Sequence, residues 1–564
     1  MDRNSRALLH RLRALRNVYS AAAEREQLAL LRALALLPLR KWSDVAQLHE
    51  DLLFLCAFPG SAAVLRMARS GLRSTGARMR ALPRAERALA DDSGTAGSTT
   101  RNVFPFPIAR WLAHEAQEDA EIDWRNFEDP ALLDGVLGAL LMGAEREGFD
   151  SGEYGTREFI AMARPSDADS DLEWLVEGAT ASPQATARIA DDWDSAEVPI
   201  AWQIADSRAS VTHNALPGIR ATYRTAMRRP ASNATADIEK PLDAIERLPR
   251  RRASQVIASA RGALAARCRE VNAMTYPNPD EVWWCDLGEG VALAVIGIAQ
   301  QHRLTLETNT GYLLFANGVP IGYGGVTPLF RQANTGINVF DPFRGGEAAY
   351  LWTQMLRAFH TLYGSERFVI NAYQFGAGNA EAIRSGAFWF YYRLGFRPAS
   401  TATRSLAARE AKRMAAGRKY RSDARTLREL ASGDLHLDLS GFDAADYFDE
   451  ALIAGAGARA ARELSRIAGA SRMKAQRQLV AAVVRDLGVE DYEQWPEAER
   501  HGFDFLAPVF ANLPGMPDWP RADREALASL LRAKGLPQER TFALRSLRAK
   551  RAFHALQSAL LKYA

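Results

Sequence analysis

The chain has 564 residues and a formal charge of +4, with 48% hydrophobic and 24% charged residues. A single core stops growing at about 250–300 residues, so three or four domains are expected. The 12 Trp and 24 Phe exclude a disordered protein, and so small a net charge excludes one that coats polyanions over its whole length.

Only Cys56, Cys268 and Cys285 are present, none in a CxxC, so a disulfide framework is not expected and a reducing, cytoplasmic setting is. The nine His form no HxxxH or HxH pair, and no metal site is expected.

The N-terminus, "MDRNSRALLHRLRALRNVYS", is basic and amphipathic, with Leu8, Leu9, Leu12, Leu15, Val18 and Tyr19 at helical spacing. Glu24 and Glu26 continue the pattern and Arg32 interrupts the apolar run, which predicts a helical hairpin rather than a membrane span. Residues 1–90 read as a helical region. "ALADDSGTAGSTTRN", Ala88 to Asn102, is a loop or boundary; Asp91, Asp92 and Ser93 beside Gly94 suggest a phosphate or metal loop only faintly, because no second acidic cluster follows. Residues 103–203 read as mainly helical and 204–240 as an irregular linker.

Residues 241–400 read as an α/β domain. A helical pattern ends near Pro277 and Pro279, and from Val282 strands are expected. "RLTLET" alternates, and "GYLLFA" and "VPIGYGGV" flank Asn317-Gly318, the strongest short hairpin signal. "GINVF" then runs through Asp341-Pro342 and Arg344-Gly345-Gly346 into a helix, with Ala348, Trp352, Met355, Phe359 and Leu362 on one face up to Gly364. "RFVINAY" is a further buried strand, and "GNAEAIRSGAFWFYYRLGF" is helical in pattern. Two antiparallel strands followed by a βαβ unit describe a mixed sheet. Residues 401–564 read as a C-terminal helical domain. It opens on a basic stretch, 401–430, with nine Lys or Arg against three Asp or Glu. Without an aromatic series this is a solvated helix face or connector before it is a nucleic-acid surface.

The strand, glycine turn and helix around Arg344 make an anion site: free N–H groups of the first helical turn point outward and the helix dipole favours negative charge. Arg344 adds a fork suited to phosphate oxygens. On these residues alone, an ordinary turn is an equal reading.

Together, the hairpin, "VFDPFRGGEAA", the following strand and "NAEAIRS…FYYRLGF" resemble the GNAT family of acyl-CoA-dependent N-acetyltransferases, over about residues 282–398. The resemblance implies a GNAT-like mixed sheet between the helical flanks, with acetyl-CoA or another acyl-CoA as cosubstrate and an amine, small-molecule or protein, as acceptor. An acyl-carrier protein is an alternative donor, and a homodimer is compatible with it. Pro342 and Arg344-Gly345 match the family's pyrophosphate turn, Ala349 its last small position, and Asn379 with Ala382-Ile383 its second motif. The implied coenzyme contacts are Val339, Phe340, Arg344, Gly345, Gly346, Glu347, Ala348, Ala349 and Asn379.

Tyr391 stands where the family's tyrosine protonates the departing thiolate, with Tyr392 beside it. Asp341, Glu347 and Glu307 are candidate bases. Glu347 departs from the pattern by replacing a glycine, unless the loop is one residue shorter and Gly346 fills that place; a carboxylate aimed at a pyrophosphate would repel it. Phe388, Trp389 and Phe390 read as core or as the wall of an acyl pocket. The alternatives to an acyltransferase are a non-catalytic helical scaffold with a degenerate GNAT-like module, and nucleic-acid association through 401–430.

Overall fold

The computed structural model describes residues 2–115, 119–166, 170–178, 183–417, 419–467 and 471–561. The chain begins with the expected hairpin, Asp2–Leu15 and Ala21–Leu36, followed by Trp42–Ala57 and Ala62–Arg73. Leu9, Leu12, Leu30, Leu31 and Leu34 bury the apolar stripe that their spacing defines. Ser20 starts the second helix, its hydroxyl accepting the Ala23 N–H at 3.2 Å.

Residues 103–203 are mainly helical, as read, but a small sheet was not foreseen. A three-stranded antiparallel sheet lies here: β1 (Thr99–Val103), β2 (Asp119–Ile122) and β3 (Pro199–Gln203), with β3 in the centre. Its strands are four or five residues long, too short for a period to show, and β3 pairs with segments far earlier in the chain.

Residues 204–233 carry no helix or strand, as expected, but they are not a free linker. Ser210, Thr212, Asn214 and Arg224 are buried. The segment is strapped down by its backbone: Leu216 N–H donates to Gly318 O and Arg224 N–H to Pro59 O, both at 2.8 Å.

The large sheet has ten strands: β4 (Ile245–Arg247), β5 (Pro277–Gly288), β6 (Val291–Ile298), β7 (Thr310–Ala316), β8 (Val319–Leu329), β9 (Gln332–Thr335), β10 (Asn338–Val339), β11 (Arg367–Ile370), β12 (Arg397–Pro398) and β13 (Leu435–Asp438). Their order is β12-β13-β11-β9-β8-β7-β6-β5-β4, with β10 paired to β8. All pairs are antiparallel except β9 with β11, joined through the helix Ala348–Tyr363. Every residue of β6 and β7 is buried, as befits strands covered on both faces. Asn317 (φ 46°) and Gly318 (φ 80°) make the expected two-residue turn between β7 and β8.

Two further expectations change. "RLTLET" is not a strand, because Arg303 is drawn into the C-terminal domain, donating to the carbonyls of Lys534, Leu536 and Pro537 at 2.7, 2.7 and 2.9 Å. The α/β unit also does not stop at 400. The basic stretch forms helices Thr401–Ala416 and Ala424–Leu430, a connector that returns the chain as β13 between β11 and β12. A second core of helices from Glu450 to Leu561 follows, built on Phe503, Leu506, Leu527, Leu531, Phe553 and Leu556. Among the described residues no helix is long and apolar enough to cross a membrane.

Candidate functional site

The parallel pair β9 and β11 lasts for only three residue pairs, from Gln332↔Arg367 to Asn334↔Val369. Beyond that β10 follows β8 alone, and the two strands part. The ladder between β8 and this strand is interrupted at Gly336 and Ile337, resuming in the same register at Asn338↔Tyr323. Two tyrosines meet the backbone groups released there: the Tyr312 hydroxyl donates to Gly336 O, and the Ile337 N–H points at the Tyr391 hydroxyl. Tyr391 is buried, packs edge-on to Trp352 with ring centroids 5.9 Å apart, and its hydroxyl is held protonated by that burial.

Beside the parting strands lies a cavity of about 680 Å³. One side carries Asn338, Val339, Phe340, Asp341, Pro342 and Arg344; Tyr373, Gln374, Asn379 and Glu381 lie across the split on the β11 side. Tyr323, Gly324 and Gly325 of β8 form its floor. The remaining wall comes from the N-terminal flank, through Trp42, His49, Glu50, Asp92, Ser93 and Thr95. The Asp91-to-Gly94 loop is therefore a loop, as read, but it borders the cavity.

At the elbow Gly345 (φ 78°) needs the conformational freedom of glycine, and Gly345 and Gly346 are exposed. Glu347 does not face outward. Its carboxylate is fully buried, accepting from Arg224 Nη2 and from the Arg228 N–H, each at 2.8 Å. The replaced glycine has thus become an internal ion pair with the strap, and its charge is neutralised beneath the turn. Arg344 is exposed and sits 3.0 Å from both Asp341 and Glu381. Asn379 spends its carboxamide oxygen on the Ala382 N–H, capping the helix Ala380–Ser385. Ala348 and Ala349 open the helix behind the elbow, half-buried.

Glu307 is not on the cavity. Burial raises its carboxyl above the usual range, an effect that the neighbouring Thr327 and Asn334 side chains oppose. Asp341 is on the cavity and exposed. Phe388 and Trp389 are buried, Phe388 against Phe375 with centroids 5.8 Å apart, and none of the three aromatics lines the cavity; nor do Tyr391, Gly345 and Gly346, which lie next to lining residues rather than on the wall itself.

Sequence reasoning missed Arg267 and Arg269, which also line the cavity. The helix Arg250–Ala265 ends with Cys268 N–H donating to Ala265 O and Arg269 N–H to Leu264 O. This closure usually places glycine where Cys268 stands, and Cys268 holds φ at 51°. It aims both flanking arginines at the cavity. Arg267 lies 3.9 Å over the Phe340 ring, and burial drops its guanidinium to about 9. Two arginines at a helix end read in sequence only as partners of the helix dipole. No family model, no curated protein and no solved structure matches this chain.

Proposed function

We propose that the protein is an acyl-CoA-dependent N-acyltransferase, with a GNAT-like sheet holding the thioester in the cavity between β10 and β11. The observation that carries this reading is the parting of one parallel strand pair immediately before a glycine turn and a helix N-terminus. The strand order agrees with it, as β13 inserted between β11 and β12 leaves β9 and β11 as neighbours at the split.

In this reading the pyrophosphate lies on the exposed N–H groups at Gly345 and Gly346, with Arg344 alongside. The buried Glu347 does not repel it, because Arg224 balances its charge. Pantetheine follows β10 toward the Gly336–Ile337 interruption. There the acceptor amine attacks the thioester carbon, the C–N bond forms, and the C–S bond breaks. Asp341, on the cavity wall, takes the proton of the amine, and Tyr391 gives its proton to the departing thiolate.

Titration calorimetry with acetyl-CoA and longer acyl-CoAs tests the reading, on the native chain and on an Arg344→Ala, Gly346→Glu variant. Binding to the native chain that weakens at least tenfold in the variant is expected. Equal affinity in both proteins, or none in either, removes the reading. Tyr391→Phe is expected to lower kcat by about 10²-fold or more at unchanged acyl-CoA affinity.

A further inference from the structure

The cavity wall carries two arginines that form no ion pair. Among the described residues neither Arg267 nor Arg269 has a carboxylate within 4.0 Å. Arg267 donates to the Ala263 carbonyl at 2.7 Å, and what remains of its fork is turned to the cavity rather than to bulk solvent. A deeply placed guanidinium without an ion pair is costly, and the Ala263 carbonyl, the Phe340 ring and the field of Asp341 relieve only part of that cost. The neighbouring His49 registers the same positive potential: it is buried, 3.1 Å from the Thr212 hydroxyl, and burial first and Arg267 second push it down to about 3.

The same wall also holds carboxylates. Glu50 is engaged by Arg13 at 2.6 Å, Asp92 accepts the Arg101 N–H at 2.8 Å, and Glu270 accepts the Thr275 hydroxyl at 3.1 Å. A doubly charged phosphate would face these groups at a disadvantage. A molecule carrying one carboxylate and one amine would satisfy both signs.

We propose that Arg267 and Arg269 bind the carboxylate of the acceptor, and that the acceptor is an α-amino acid whose amine faces the split between β10 and β11. This rests on the acyltransferase reading above. The amine nitrogen forms the new amide bond, the C–S bond of the donor breaks, and the products are an N-acyl amino acid and the free thiol. Bidentate guanidinium contacts to a carboxylate are strong and geometrically selective, so the pair would discriminate against amines that lack one.

The test compares acetyl transfer, followed by thiol release, to tyrosine, histidine and phenylalanine with transfer to tyramine, histamine and phenethylamine. At least one amino acid is expected to exceed its decarboxylated partner tenfold or more in kcat/KM. Arg267→Gln should erase that preference while the acetyl-CoA Kd stays within twofold, and the exposed Arg269→Gln should reduce it. Equal use of acids and amines overturns the proposal. So does a matching loss of acetyl-CoA affinity in Arg267→Gln, which would assign the arginines to the phosphates of the donor. If acetyl-CoA does not bind at all, the acyltransferase reading falls on its own. Calorimetry with the three amino acids then decides the subsite: binding lost in Arg267→Gln retains it, and binding absent from the native chain removes it.

Discussion

The N-terminal flank joins the large sheet through one continuous apolar core, whereas the C-terminal flank has its own core and meets the sheet through buried ions. On the N-terminal side the apolar contact is incomplete, and the 680 Å³ cavity with its unpaired arginines lies in the gap. On the C-terminal side charges are matched. Lys534 Nζ lies 2.6 Å from Glu539, and Glu281 accepts the N–H groups of Glu539 and Arg540 at 2.8 and 2.7 Å. Leu306, Leu329 and Phe330 of the sheet domain enter the C-terminal core, with Phe330 stacked on Phe553 at 4.8 Å. An interface whose charged groups mostly meet a partner, Arg303 Nε being an exception, is built to stay shut. One that leaves cations facing a hollow is built to admit something.

The contrast can be broken most forcefully at the buried Glu347–Arg224 pair beneath the elbow. Glu347→Ala strands Arg224 in the core and is expected to cost about 3–5 kcal/mol, read from urea unfolding. A loss under 1 kcal/mol would mean that the strap does not depend on that pair.

An effect of similar size is acid sensitivity of the same flank. His49 is held down to about 3 against an ordinary 6.5, so the unfolded chain binds the proton that the folded one refuses. Its contribution is present above pH 6.5 and is lost as pH falls through 3, about 5 kcal/mol in all. His49→Gln should flatten that part of the stability profile.

The C-terminal interface should show the opposite sign. Burial first, opposed by its two N–H bonds, raises Glu281 to about 7, so the folded chain is favoured while Glu281 is protonated. That contribution is present below pH 4.5 and is lost as pH rises through 7, about 3 kcal/mol, and Glu281→Gln should remove the slope. Matching slopes for His49 and Glu281 would defeat the comparison. The smallest effect is the most telling: Arg267→Gln should leave stability within about 1 kcal/mol, because the desolvation cost of the cation is removed along with its bond to the Ala263 carbonyl and its contact with the Phe340 ring.

What the sequence discloses follows the range of each interaction. The Asn317-Gly318 hairpin, the helix ended by Gly364 and the elbow at Arg344 are specified by neighbours a few residues apart, and all were legible. The strands β1 and β3 were not, because Thr99 finds Gln203 only in the folded chain. Nor was β13, four residues whose assignment depends on β11 and β12 making room between them. At the site, the elbow and Asn379 could be found from motif order. Arg267 could not, since its meaning comes from the absence of an acid nearby, and an absence in space leaves no trace in a string. Glu347 was legible as an anomaly, while its resolution by Arg224 required the strap to be seen lying over it.

The interruption at Gly336 and Ile337 also bears on the order in which the protein assembles. The hairpins from β5 to β8 close between adjacent segments and can form early. The strand after them meets a partner from far along the chain, Tyr391 of the helix Ala387–Arg393, at Ile337. Completion of the central ladder is thereby tied to docking of the last helix before β12.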